Sequence, residues 1–157
     1  MAGTLKVKIE EDIILENQNY GSKRTFEISS IANITKKIVT IASDDDATVL
    51  VFKSTVASAD SALDKENVKY IRITNLDSSN SVNISLQLDS GEDNSSADLS
   101  MTHLLEAGRS FLMGAPDEGA HADDDSATIV TALTDLESII VDPGSNSGQV
   151  EVFVAST

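Results

Sequence analysis

Hydrophobic and polar positions in this chain alternate mostly in steps of two. Leu5, Val7 and Ile9 are interleaved with Lys6, Lys8 and Glu10, the spacing of a half-buried strand. Phe26 and Ile28 continue that pattern, and the apolar run Ile38-Val39-Thr40-Ile41 follows. Residues 48–53 are apolar on both faces, which predicts a central strand of a sandwich. Between residues 68 and 76 the alternation turns Ile71 and Ile73 inward and Tyr70, Arg72 and Thr74 outward, with Lys69 on the inward parity at the start. The cleanest run sets Val82, Ile84, Leu86 and Leu88 against Asn83, Ser85 and Gln87.

Turn-forming residues separate these runs. Leu76-Asp77-Ser78-Ser79-Asn80-Ser81 predicts a hairpin loop between two alternating segments. A second hairpin is predicted at residues 142–148, where Pro143 and Gly144 set the turn between Ile139-Ile140-Val141 and the run 150–154. Glu106-Ala107-Gly108 predicts a turn into a strand at residues 110–113. Residues 91–100 and 114–126 are rich in Gly, Asp, Ser and Asn and read as loops, and residues 54–66 as a loop with at most one helical turn. Ile129, Leu133 and Leu136 fall at helical spacing, but Thr128, Val130 and Thr131 favour a strand. The expectation is an all-β, jelly-roll-like β-sandwich with long acidic loops and at most one short helix. It forms one domain over residues 1–157, in which a strand-rich N-terminal segment, residues 1–53, precedes a second segment, residues 68–157.

Composition narrows the function. The 157 residues carry 11 Lys plus Arg against 26 Asp plus Glu, a formal net charge of −15. That balance argues against binding a phosphate backbone, which needs clustered Lys and Arg. There is no cysteine, which excludes disulfides and thiolate chemistry. The alternating N-terminal residues lack the apolar run of a signal peptide, and no apolar stretch reaches the length of a membrane span. The glycosylation patterns at Asn33 and Asn83 then read as chance, and synthesis in a cytosol is expected.

Several residue groups carry possible chemistry. Asp44-Asp45-Asp46 and Asp123-Asp124-Asp125 offer oxygen ligands for calcium, yet neither has the ligand spacing and central Gly of an EF-hand loop. A solvated loop is the simpler reading, and no metal or cofactor is expected. His103 and His121 are the two histidines. Neither lies in a Gly-x-Ser-x-Gly or His-Glu-x-x-His pattern, and no catalytic residues are expected. Lys6, Lys8, Lys23, Arg24, Lys36 and Lys37 concentrate in the first quarter. This fits a face that docks on an acidic partner, or edge strands protected against aggregation by lysine. Tyr70 and Phe153 lie opposite the inward rows of their strands, where they would suit an interface or cover an end of the core.

The segment Tyr70-Ile71-Arg72-Ile73-Thr74-Asn75-Leu76-Asp77, with the turn and alternating strand after it, resembles virion structural proteins of tailed bacteriophages, especially those of marine cyanophages. Residues 105–113 and the closing pattern Leu136, Ile139, Val150, Val152 and Ala155 extend the resemblance over residues 68–157. It implies a non-catalytic virion protein made in the host bacterial cytoplasm, with the major capsid protein or other virion proteins as partners. The first expectation is a capsid decoration (cement) protein that stabilises assembled shells. A neck, tail or baseplate component is the second, and a receptor- or carbohydrate-binding module the third, weakened by an aromatic content of 4 % without Trp. Lys6, Lys8, Lys23 and Arg24 are the expected shell contacts and Tyr70 and Phe153 the expected interface aromatics. A homo-oligomer is expected, with a trimer as first guess, and neither nucleic acid nor membrane as partner.

Overall fold

The computed structural model describes residues 2–56, 61–88, 99–122 and 132–157. Its elements are strands: β1 (Gly3–Glu11), β2 (Ile14–Leu15), β3 (Gln18–Asn19), β4 (Ser22–Ile31), β5 (Asn33–Ile41), β6 (Ala47–Lys53), β7 (Leu63–Asp64), β8 (Val68–Asn75), β9 (Val82–Leu88), β10 (Leu99–Leu105), β11 (Ser110–Met113), β12 (Leu136–Asp142) and β13 (Gly148–Ser156). Among the described residues there is no helix, so none is long and apolar enough to cross a membrane.

Two sheets make the body. One is ordered β10-β9-β12-β6-β7 and the other β11-β8-β13-β5, all pairs antiparallel except the two-residue β7 beside β6. Counting only β5, β6 and β8–β13 in chain order, the sheets run 1-8-3-6 and 2-7-4-5. That is the strand order of a jelly roll. The core lies between the sheets, with Val49, Leu86 and Ile139 from one meeting Ile71, Ile73 and Val152 from the other.

Two expected hairpins are corrected by this topology. Residues 76–81 leave β8 in the four-stranded sheet and enter β9 in the five-stranded sheet, and residues 142–148 join β12 and β13 in the opposite sense. Both are arches over the end of the core. Polar turn residues report a reversal of the chain but not whether it returns to the same sheet. Left-handed Gly144 (φ 66°) suits its arch, where its N–H is held by Asp142 Oδ1 at 2.6 Å.

Bulges adjust the alternation. The register between β13 and β8 shifts between Ala155 and Ser156, so Val68 enters the core and Lys69 stays half-exposed. A similar shift between Ile139 and Ile140 faces β6, where neighbouring Val49 and Leu50 are both buried. Leu136 opens β12 rather than extending a helix, whereas residues 123–131 lie outside the described residues.

A tight hairpin lies at the N-terminus. β1 pairs with β4 from Leu5/Ile28 to Glu11/Ser22, and β2 pairs with β3 in the same register. Glu16 (φ 50°) and Asn17 (φ 65°) form its tip, the two left-handed positions of a type I′ turn. From Leu5 to Leu15 the arm spans roughly 33 Å at the usual rise per strand residue. It joins the body at Ala32, whose N–H donates to the Ser156 oxygen at 2.9 Å immediately before β5 pairs with β13. The expectation of a half-buried first strand holds only at this root: Leu5 and Val7 are partly covered, but residues 8–27 are exposed apart from Gly21.

Candidate functional site

Side chains directly opposite each other in an antiparallel pair share a face. One face of the arm therefore carries Lys6 opposite Glu27, Lys8 opposite Thr25 and Glu10 opposite Lys23. Lys6 Nζ lies 2.7 Å from Glu27 and Lys23 Nζ 2.9 Å from Glu10. The other face carries Leu5/Ile28, Val7/Phe26 and Ile9/Arg24, followed towards the tip by Ile13, Tyr20 and Leu15. Of the expected shell contacts, Lys6, Lys8 and Lys23 thus share the charged face, and Arg24 sits on the apolar one. Lys6 and Lys23 already face carboxylates of their own hairpin, which halves the charge that the four expected contacts offer to a partner.

The root of the arm covers the outer face of the four-stranded sheet. Ile31, Tyr70 and Ala155 form a second apolar cluster, joined by Leu5, Val7, Ile28 and Phe153. Tyr70 and Phe153 meet edge-on, with centroids 6.1 Å apart at 74°. The Arg72 guanidinium lies 5.6 Å over the Phe153 ring and pairs with Glu151, which also holds Lys36 at 3.0 Å. The two aromatics do face outward, as their parity requires, but this chain's own hairpin covers them. Tyr70 is only 8 % exposed. Burial raises the pKa of its hydroxyl, with partial opposition from Arg72.

Beside this contact runs a groove of about 380 Å³. One wall is residues 5–9 of β1, and the floor includes Tyr70, Arg72, Leu112 and Phe153. Lys6, Lys8, Lys36 and Arg72 line it, without a carboxylate among the lining residues. Sequence reading missed this site because it exists only once the arm is laid across the sheet.

The other expected chemistry is dispersed. Asp44, Asp45 and Asp46 lie in the β5–β6 connection beside Asp142, while Asp123-Asp124-Asp125 lies outside the described residues. Among the described residues no three His, Asp or Glu side chains are grouped to hold a metal ion. His103 on β10 leans on Phe111, at 5.9 Å between ring centroids, and His121 Nδ1 is buried without a hydrogen-bond partner. A wider cleft of about 520 Å³ next to β6 and β12 contains the Lys65–Asp135 ion pair. Burial there would raise Asp135, but the Glu118 N–H and Lys65 outweigh it and hold the carboxyl below its usual range.

No protein-family model matches this chain, and no curated protein matches it. Among solved structures, a chain from one described as "Bacillus endospore appendages form a novel family of disulfide-linked pili" is similar over 79 % of this chain and 88 % of that one, with a TM-score of 0.38 and 9 % identity. That likeness is too distant to carry function from one to the other.

Proposed function

We propose that this chain is a non-catalytic structural component of a tailed-phage virion, acting as a capsid decoration protein. The observation that carries the reading is the division of charge between arm and body. Residues 2–31 hold four basic and five acidic residues, while the rest of the chain holds seven and twenty-one. A near-neutral exposed arm can approach another protein surface, and the acidic body turned to solvent keeps decorated particles apart. The jelly roll is a fold that viral coats use, which supports the reading by analogy alone. Attachment of many copies would stabilise the assembled shell by mass action, and lattice repetition would compensate for modest single-site affinity.

Co-sedimentation with shells of the major capsid protein tests this. The chain should pellet with shells, less so as salt rises, and the double variant Lys23→Glu with Arg24→Glu should pellet less than the parent. Failure to pellet at any salt concentration, with recovery on isolated tails instead, would move the protein to the neck or tail of the particle.

A further inference from the structure

Among the described residues, none occupies the groove beside β1. The segment closest to it in sequence, residues 10–16, continues β1 away along the arm and is held there by pairing with β4 and β3. That segment reads Glu-Glu-Asp-Ile-Ile-Leu-Glu, four carboxylates and three aliphatics without a cation, and every residue of it is exposed. The groove has the opposite character. Four cations line it, and setting Glu27 against Lys6 and Glu151 against Lys36 and Arg72 still leaves two positive charges in a chain of net charge −15. Among the described residues β1 pairs only with β4, so its other edge presents main-chain hydrogen-bonding groups. Consecutive residues of both parities line the groove, as they do where a strand presents its edge.

We propose that β1 adds to β1 of a second copy, antiparallel about a two-fold axis at Ile9, giving a continuous β4-β1-β1-β4 sheet across the dimer. Donor and acceptor segments are adjacent on one strand, so a single two-fold contact fills both grooves and closes, in place of the expected trimer. The charges select the register. With Ile9 opposite its own copy, Lys8 faces Glu10 and Lys6 faces Asp12 across the axis. Leu5 then faces Ile13 on the other side. Because Glu27 and Lys23 already flank Lys6 and Glu10, charges alternate in sign across three of the four strands in each row, and Thr25 beyond Lys8 is neutral. A third neighbour for each hairpin also answers the marginal stability of a two-stranded ribbon in water.

Sedimentation velocity on the purified chain tests the pairing independently of any shell. The parent should be a dimer at micromolar concentration. Lys8→Glu places like charges opposite each other twice and should weaken the dimer roughly tenfold, as should Glu10→Lys. Lys8→Glu combined with Glu10→Lys, and with Lys23→Glu so that the hairpin keeps its own pair, restores opposite charges in this register alone and should recover the parent dimer. Circular dichroism of each variant establishes that the body is folded. A monomeric parent at 100-fold higher concentration overturns the proposal. A dimer or larger oligomer indifferent to both single changes, or an unrescued triple variant that is folded, also overturns it.

Discussion

The side-chain amide of Asn75 donates to the main-chain oxygen of Leu105 at 3.2 Å, tying the end of β8 in one sheet to the end of β10 in the other. The same amide donates to the Asn80 oxygen at 2.8 Å, and its carbonyl accepts the Asp77 N–H at 3.0 Å. Asn75 is fully buried, and its main-chain N–H donates to the Arg109 oxygen at 2.9 Å. One residue thus fixes the arch from β8 to β9 and the connection from β10 to β11. Asp77 continues the device by accepting the N–H groups of Asn80 and Ser79, which lower its pKa.

Replacing Asn75 with Ala leaves these main-chain groups without partners in a buried place, at a cost of about 3 kcal/mol. Asn75→Asp should cost more at neutral pH, because a carboxylate would face two carbonyl oxygens. Urea unfolding measures both, and a loss below about 1 kcal/mol for Asn75→Ala would contradict this role.

Phe153 joins arm to body. Phe153→Ala removes the edge contact with Tyr70, the Arg72 stacking and part of the cover under Leu5 and Val7. The expected cost is about 2–3 kcal/mol for a partly covered ring. Hydrogen exchange should speed up at residues 5–8 while the β12–β9 pairing keeps its protection. Loss of protection throughout the body would show that the arm is not a separate unit.

Asp135 gives the fold an acid-sensitive pair. Its folded pKa lies below the unfolded value, so its contribution is complete above the ordinary carboxylate range and is lost as pH falls through the depressed folded value. Asp135→Asn should cost about 1–3 kcal/mol at neutral pH and nothing once the parent carboxyl is protonated. Melting curves of parent and variant should therefore converge well below the ordinary carboxylate range. A constant gap between them at all pH values would contradict the assignment.

The Asp44-Asp45-Asp46 loop and nearby Asp142 should remain a solvated acidic loop. Millimolar calcium is expected to leave the melting temperature nearly unchanged. A site half-saturated at micromolar calcium would add about 4 kcal/mol at a thousandfold excess, seen as a rise of many degrees that a chelator reverses.

The strands were legible in the sequence because a half-buried strand must alternate, and Val82 to Leu88 do so without exception, while residues 150–154 depart from it at Phe153 alone. Sheet membership was not legible. Asp77 and Pro143 mark reversals equally well in an arch and in a hairpin. The N-terminal hairpin was hidden because its tip, Glu16-Asn17, lacks the usual Asn-Gly signal and Ile13-Ile14-Leu15 interrupts the alternation. Lys69 misled at the start of β8 because one bulged residue reverses parity. The outward direction of Tyr70 and Phe153 could be read from parity. What covers them could not, since Leu5 and Val7 reach them only through the tertiary fold.

The reading as a shell-bound structural protein is tested most directly by the number of copies per purified particle, measured by mass spectrometry against the major capsid protein. A shell-bound protein should be present in hundreds of copies, comparable with the number of capsomer positions. Six to a few dozen would place the chain at the neck or tail, and its absence from purified particles would contradict a virion role altogether.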